Sequence, residues 1–184
     1  MSLVKVQGNA SGTGIFTIAA PNSNTDRTLT LPDNTGTVLT TATPGVPVNG
    51  PAFAAYAANT QSISGATATK VLFDTEVFDT NSNFASSRFT PTVAGYYQVN
   101  WTASASSVQS RLIASLYKNG TEYFRATDNA GVGGSGQWSA AGSSLVYCNG
   151  STDYLEVYVY FAGAANTGGN SVSTAFNGAM VRAA

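Results

Sequence analysis

Residues 73–101 read FDTEVFDTNSNFASSRFTPTVAGYYQVNW, and this stretch decides the fold. Its aromatic residues fall at irregular intervals that no helical period produces, and the stretch ends in an alternating run. Successive side chains of a strand point to opposite faces, so the run predicts a strand with two different surfaces. One face carries Tyr97, Val99 and Trp101. The other carries Tyr96, Gln98 and Asn100.

No other part of the chain has a convincing helical period, and the remaining runs are short and separated by turn residues. Such regular short strands are typical of an all-β sandwich or jelly roll. The pattern predicts about ten strands. They lie near residues 52–58, 69–73, 76–78, 87–89, 95–104, 111–118, 121–127, 137–147, 153–162 and 172–182.

The stretch 73–101 resembles the signature of the globular head domain of complement component 1q, a branch of the tumour necrosis factor superfamily. The matching positions are Phe73, Asp79, Phe84, Phe89, Gly95, Tyr97 and Trp101. A shorter spacer before Phe89 and Val99 in place of a Phe depart from the signature, but neither change removes the fold. Residues 51–56, 116–120, 145–157 and 175–181 resemble other strands of the family in the same order. The resemblance covers residues 51–184 and implies a ten-stranded, two-sheet TNF-like jelly roll that forms homotrimers.

In the resembled family, three jelly rolls pack around an axis through the sheet that contains the first, the Gly-x-Tyr and the closing strands. Carried onto this chain, the resemblance makes six residues candidates for the trimer interface: Tyr56, Tyr96, Gln98, Asn100, Phe176 and Met180. Eight residues are candidates for the core: Phe73, Phe89, Tyr97, Val99, Trp101, Leu155, Val157 and Val159. Periodicity divides the closing strand into two faces without saying which one points inward.

The first 41 residues differ from the rest, because they contain only short alternating runs broken by Gly, Pro and Asn. Runs this short cannot enclose a core by themselves, so we expect copies of the chain or another protein to cover them. Within this region, residues 28–40, TLTLPDNTGTVLT, resemble a motif of fibre and appendage proteins of tailed bacteriophages. An ordinary β-meander without viral meaning remains the alternative. The domains predicted are therefore a β-rich base or stalk at 1–41, a Pro/Gly linker at 42–50 and the jelly-roll head at 51–184.

Composition limits the possible functions. Charged residues make up 9% of the 184 residues and the net charge is −1, so no basic surface for nucleic acid is expected. The apolar runs are far shorter than the ~20 residues that span a bilayer. The first residues also lack the pattern of a secretory signal, so we expect synthesis in a cytoplasm and no membrane insertion.

The chain contains no histidine, which excludes Ser-His-Asp and Cys-His catalysis and His-metal ligation. We therefore expect no enzyme activity and no catalytic residues. The single cysteine, Cys148, lies in an apolar run and is interpreted as a buried hydrophobic residue rather than a reactive thiol. Residues 131–136, GVGGSG, lack the Lys-Ser and helix of a phosphate-binding loop and are interpreted as a loop tip.

Two further sites are considered. Tyr154, Tyr158 and Tyr160 share one face of the strand near 153–162, where they would either bind a glycan or form a cross-strand ladder with Tyr117 and Tyr123. The ladder is favoured. The only clustered carboxylates, Asp74, Glu76 and Asp79, would either ligate calcium or act as solvated turn charges. No other cofactor is expected.

The sequence thus predicts a structural virion protein of a tailed bacteriophage, namely a homotrimeric short fibre, spike or capsid decoration. It would be made in the host cytoplasm, assembled on the particle surface and joined to other virion proteins through residues 1–41. A host-receptor adhesin that recognises a cell-surface glycan or protein is the first alternative. A soluble complement-like or cytokine-like trimeric ligand is the second.

Overall fold

The computed structural model describes residues 10–15, 17, 19, 22–26, 28, 50–130 and 138–184. The chain divides into two units, Met1–Val38 and Leu39–Ala184, and the strands below all belong to the second. The strands predicted between residues 3 and 39 lie wholly or partly outside the described residues. The predicted linker at 42–50, except for Gly50, and the predicted loop tip at 131–136 also lie outside the described residues.

The described part of the chain contains thirteen strands and no helix. They are β1 (Ala52–Tyr56), β2 (Ser62–Ile63), β3 (Thr69–Lys70), β4 (Thr75–Asp79), β5 (Phe84–Ala85), β6 (Arg88–Phe89), β7 (Ala94–Ala105), β8 (Arg111–Lys118), β9 (Thr121–Ala130), β10 (Trp138–Asn149), β11 (Leu155–Phe161), β12 (Ala165–Asn166) and β13 (Ala175–Ala183). Each of the ten predicted strands has a counterpart. The three additional strands, β2, β5 and β12, have two residues each.

Two antiparallel sheets form the sandwich. The first has the order β10-β7-β13-β1-β4, and the second has the order β5-β6-β11-β8-β9, with β3 paired to β11. A separate two-stranded sheet joins β12 to β2. Apart from the hairpins β5–β6 and β8–β9, the chain crosses repeatedly between the two sheets, so the prediction of an all-β two-sheet jelly roll is confirmed.

The core lies between the two sheets and is rich in aromatic rings. The Phe53 ring stacks on Phe89 with centroids 4.3 Å apart and meets the edge of Phe176 at 4.8 Å. Tyr97 and Trp101 are the core aromatic residues with polar groups, and both groups have hydrogen-bond partners. The Tyr97 hydroxyl donates to the Val93 carbonyl at 2.6 Å, and the Trp101 indole N–H donates to the Ala114 carbonyl at 3.3 Å. All eight predicted core residues are buried, so that prediction is confirmed.

Two hairpins have loops of two residues with positive φ. Asn119 and Gly120 (φ 54° and 78°) join β8 to β9, and this pair is favoured in such turns because both residues tolerate the left-handed region. Ser86 and Ser87 (φ 50° and 57°) join β5 to β6 without a glycine. The Lys70 ammonium donates to the Ser86 carbonyl, and the Ser87 hydroxyl accepts the Phe73 N–H, each at 2.8 Å. These two hydrogen bonds stabilise the second turn, whose two serines have the unfavourable positive φ.

Candidate binding surfaces

The first sheet has an outward face whose polar groups bond to one another. The Gln98 side chain donates to the Ser143 hydroxyl at 2.7 Å, and this hydroxyl donates to Asn100 at 2.9 Å. Asn100 in turn donates to Asn177 at 3.0 Å. This ladder crosses β10, β7 and β13 without a charged group. We call this ladder, with the outward-pointing Tyr96, Leu145 and Tyr147, the neutral face. The charged residue that borders it is Arg182, which is exposed and lies opposite Tyr96 across β13 and β7.

Apolar side chains surround the ladder. Tyr96 and Tyr147 contact each other across β7 and β10, with ring centroids 5.5 Å apart. Each remains 41% exposed, and Leu145 beside them is 53% exposed. Large exposed side chains next to satisfied neutral amides make this face suitable for burial against another protein surface.

The predicted interface residues divide between the two sides of this sheet. Tyr56, Tyr96, Gln98 and Asn100 lie on the outward side, as expected, and their role in an interface stays a prediction. Phe176 was assigned wrongly, because it is fully buried in the core. Met180 was also assigned to the wrong side, since it packs against the core. The reason is the register of β13, in which Asn177 pairs with Asn100 and therefore points outward, so Phe176 points inward.

The second sheet carries more charge than the first, whose strands hold Glu76, Asp79 and Arg182. All six ion pairs found among residues 50–130 and 138–184 lie on or beside it. Its outward face, which we call the tyrosine face, consists of the outward side chains of β8, β9 and β11. Tyr117 and Tyr158 stack there with centroids 4.0 Å apart and an interplanar angle of 25°. Burial raises the pKa of both tyrosines.

The stacked pair confirms the predicted ladder for Tyr117 but not for Tyr123. Across the part of the chain that the structure describes, Tyr123 makes no ring contact, and it is 48% exposed. The pairing of β8 with β9 explains this, because Leu116 lies opposite Phe124 while Tyr117 lies opposite Glu122. Tyr123 is thus the extra residue of a bulge and is not opposite any tyrosine.

A network of four charged side chains borders the stacked tyrosines. Arg125 holds Glu122 through two bonds of 2.8 Å, and Arg111 holds Asp128 through bonds of 2.7 and 2.6 Å. Arg125 also reaches Asp128 at 3.4 Å. These hydrogen bonds lower the pKa of both carboxyl groups, so the network of two cations and two anions is neutral.

This network was not predicted from the sequence. Glu122, Arg125 and Asp128 are three residues apart, a spacing at which a regular strand would place neighbours on opposite faces. The register of β9 shifts twice against β8, opposite Ala114/Ser115 and Leu116/Tyr117. Each shift adds one residue, so all three charged side chains point to the tyrosine face. The only sequence signal is the repeated charge at intervals of three.

A pocket of about 80 Å³ opens between the network and the tyrosines. Its apolar lining consists of Ala68, Ile113 and Val159. Its polar and aromatic walls are formed by Ser115, Tyr117, Glu122, Arg125, Tyr158 and Tyr160. The Ser115 hydroxyl donates to Glu122 at 2.6 Å and fixes that carboxylate against the sheet. Two of the predicted glycan-binding tyrosines, Tyr158 and Tyr160, therefore border a pocket.

The third predicted tyrosine, Tyr154, lies at a second charged cluster. The Arg88 guanidinium stands 3.9 Å from the centre of its ring, within the range of a cation–π contact. One oxygen of Glu156 accepts from Arg88 at 2.9 Å and from Lys70 at 2.7 Å. Burial raises the pKa of Glu156, which is only 2% exposed, but the two hydrogen bonds outweigh it and hold the pKa below its usual value. The carboxylate therefore stays ionised inside the cluster.

The predicted calcium ligands do not form a site. The described ranges contain no group of three acidic, histidine or cysteine side chains that could hold a metal. The Asp74 carboxylate accepts the Ala58 N–H at 2.6 Å and the Asn59 N–H at 3.1 Å, and the first bond is the main cause of its lowered pKa. Asp79 accepts the Phe84 N–H at 2.6 Å. Asp74 and Asp79 thus satisfy backbone N–H groups, and Glu76 is exposed on β4. This arrangement agrees with the alternative of turn charges and not with calcium ligands.

Two other observations bear on the predicted chemistry. Cys148 is fully buried, and burial raises the pKa of its thiol to about 11, which agrees with the interpretation as a hydrophobic residue. The described residues also include no helix long and apolar enough to cross a membrane.

No protein-family model and no curated protein matches the chain. Solved structures do match. The globular domain of zebrafish complement 1qA is 18% identical with a TM-score of 0.59, and the match covers 73% of this chain and 99% of that one. Murine APRIL is 13% identical with a TM-score of 0.57, covering 71% and 98%. Eiger TNF from S. frugiperda is 13% identical with a TM-score of 0.52, covering 73% and 95%.

The fold is a complement 1q/TNF-like jelly roll. The signature in residues 73–101 therefore led to the right fold. At these identities the similarity establishes the architecture of the head and leaves its role to be argued from its surfaces.

Proposed function

We propose that the chain is a non-catalytic structural protein of a tailed-bacteriophage particle, a homotrimeric short fibre, spike or capsid decoration. Residues 51–184 form the exposed head, and residues 1–41 form a base that binds other virion proteins. The protein is made in the host cytoplasm and assembled on the particle surface. The resemblance of residues 28–40 to a motif of phage appendage proteins supports the virion role. The absence of histidine supports a role without nucleophilic catalysis.

The neutral face carries the assembly part of the proposal. The Gln98–Ser143–Asn100–Asn177 ladder satisfies its own hydrogen bonds, so burying it against another copy desolvates no charge. Tyr96 and Tyr147 provide aromatic area at the same place, and aromatic residues are enriched at interface cores. Three copies arranged around an axis would cover this face on each protomer.

Light scattering tests the assembly. We expect the full chain and a truncated chain that begins at Gly50 to have three times the mass of one protomer. A monomeric truncated head would show that residues 1–41 cause trimerisation and that the neutral face is not the interface.

Cryo-microscopy of the particle tests the virion role. We expect density for a three-fold jelly roll on the head or tail of the particle, and we expect the truncated chain to be missing from purified particles. Particles that assemble without this protein in any surface feature would contradict the proposal.

Host recognition is a second candidate function, and the tyrosine face favours it. This face lies on the opposite sheet from the proposed interface, so a trimer would present three copies outward. Its aromatic and charged side chains suit recognition of a surface ligand. Adsorption of the purified protein to bacterial cells, absent for variants of this face, would support it.

A further inference from the structure

The aromatic wall of the pocket on the tyrosine face is already in position. Tyr117 and Tyr158 hold each other by stacking at 4.0 Å, and the Arg111 guanidinium stands 5.9 Å from the centre of the Tyr160 ring. Side chains fixed in this way lose little conformational entropy when a ligand binds. Tyrosine offers apolar area together with a hydroxyl group, which suits a ligand with both C–H and O–H groups.

The polar wall is equally fixed. Glu122 is held by both Arg125 and Ser115, so its two oxygens are directed by three hydrogen bonds. A carboxylate has about four lone-pair sites, and capacity therefore remains for a hydroxyl donor. Arg125 supplies N–H donors next to it. Neighbouring hydroxyl groups of one ligand would thus find a donor and an acceptor side by side.

The zero net charge of the network favours a neutral ligand over an anionic one. Arg111 and Arg125 each bind a carboxylate through two hydrogen bonds, and the four-residue network has no net charge. An anionic ligand would have to displace Glu122 or Asp128 to reach a free guanidinium. A neutral polyol can instead bond to the network as it stands.

The size of the pocket sets how much of a ligand enters it. A volume of about 80 Å³ corresponds to roughly two or three water molecules. This admits a hydroxymethyl arm or a pair of adjacent hydroxyls, while the rest of a sugar ring would lie against the tyrosines outside. A ligand that presents such groups on a larger chain matches this shape.

We propose that this pocket binds one neutral hexose residue of a cell-surface glycan. The proposal rests on the second candidate function, host recognition, and gives it a site and a ligand class. Three such pockets on a trimer would bind a polymeric glycan with avidity, although each alone is weak.

The experiment applies the full chain to an array of saccharides that end in neutral hexoses or in acidic sugars, followed by calorimetric titration of the best soluble saccharide. We expect binding to neutral hexoses with a dissociation constant on the order of 1 mM or below. Tyr158→Ala should weaken binding at least about tenfold, and Glu122→Gln about three- to tenfold, through the lost stacking surface and hydrogen bond. Tyr158→Phe keeps the ring and should stay within about twofold of the wild type.

Tyr123→Ala is the matched control, since Tyr123 is exposed on β9 and does not border the pocket. It should bind as the wild type does. If Tyr158→Ala fails to fold, the saccharide affinity of Glu122→Gln alone tests the proposal. The proposal is overturned if no neutral hexose binds, if acidic sugars bind better, or if both pocket variants bind normally. Adsorption to bacterial cells without saccharide binding would overturn the site alone, whereas saccharide binding without adsorption would support the site and contradict host recognition.

Discussion

The neutral face and the tyrosine face belong to the same jelly roll but satisfy their polar groups in different ways. On the neutral face, amides and a hydroxyl bond to one another through Gln98, Ser143, Asn100 and Asn177. On the tyrosine face, guanidinium and ammonium groups bind carboxylates. Removing charges from water costs free energy that their attraction often fails to offset, whereas satisfied amides can be covered at little cost. One sheet therefore suits assembly, and the other suits contact with water and ligands.

The largest expected effect is on the core that holds the two faces together. Trp101→Ala should lower the free energy of unfolding by ~3–5 kcal/mol, because it leaves a cavity between the sheets and removes the bond to the Ala114 carbonyl. Chemical denaturation followed by circular dichroism measures this. A loss below about 1 kcal/mol would mean that the two sheets do not depend on this contact.

The next largest effect is expected from a substitution that weakens the trimer and leaves the core unchanged. Ala179 is exposed on the neutral face opposite Gln98, so Ala179→Lys should fold normally but should weaken the trimer by several kcal/mol when three lysines are buried. Light scattering against protein concentration reports the dissociation. Ala130→Lys, on an exposed position of the second sheet, is the matched control and should remain a trimer. Equal behaviour of the two variants would contradict the assignment of the faces.

A smaller effect concerns the buried carboxylate of the second sheet. Glu156→Gln should lower the free energy of unfolding by ~1–2 kcal/mol at neutral pH, less than for a fully buried pair because Lys70 and Arg88 are partly exposed. The pKa of Glu156 is held below its ordinary value of 4.5, so its contribution is present above that pH and is lost as the pH falls through the folded-state pKa. The gap between variant and wild type should therefore shrink below pH 4.5. A gap independent of pH would show that the carboxylate contributes no charge-dependent stability.

The smallest effect separates the two tyrosines that were expected to form one ladder. Tyr117→Leu should cost ~0.5–1.5 kcal/mol, since it loses the stack with Tyr158. Tyr123→Leu should change the free energy of unfolding by less than ~0.5 kcal/mol, because that residue is an exposed bulge. Thermal unfolding of the two variants in parallel measures the difference in stability. Equal losses of stability would show that Tyr123 contributes to the aromatic ladder as Tyr117 does.

Alternation along β7 was sufficient to predict which of its side chains are buried, whereas the jelly roll followed from the spacing of the short strands and the family resemblance. Tyr97, Val99 and Trp101 are large and apolar at every second position, so only one arrangement buries them. The closing strand β13 lacks this contrast, since it reads AFNGAMVRA with small residues on both faces. Which face of β13 points inward is set by its pairing with β7, and the sequence of β13 alone does not reveal this register.

The candidate sites were less predictable, because they depend on bulges and on loop backbone. Glu122, Arg125 and Asp128 share a face only because β9 shifts register twice. Asp74 and Asp79 look like metal ligands in sequence, but Asp74 accepts a backbone N–H from a loop 16 residues away, and Asp79 accepts one from Phe84, five residues along the chain. The charge at intervals of three in β9 does not reveal the bulges, and the partner of Asp74 must be placed before its contact can be predicted.

Hydroxyl-radical footprinting of the purified full chain, read by mass spectrometry at single tyrosines, tests the difference between the faces most directly. Tyr96 and Tyr147 are each 41% exposed in one protomer and Tyr123 is 48% exposed, so a monomer would be oxidised at similar rates at all three. Burial of the neutral face in a trimer predicts that Tyr96 and Tyr147 are protected while Tyr123 stays reactive. Similar rates at the three tyrosines would contradict the account, because the neutral face would then be open to water.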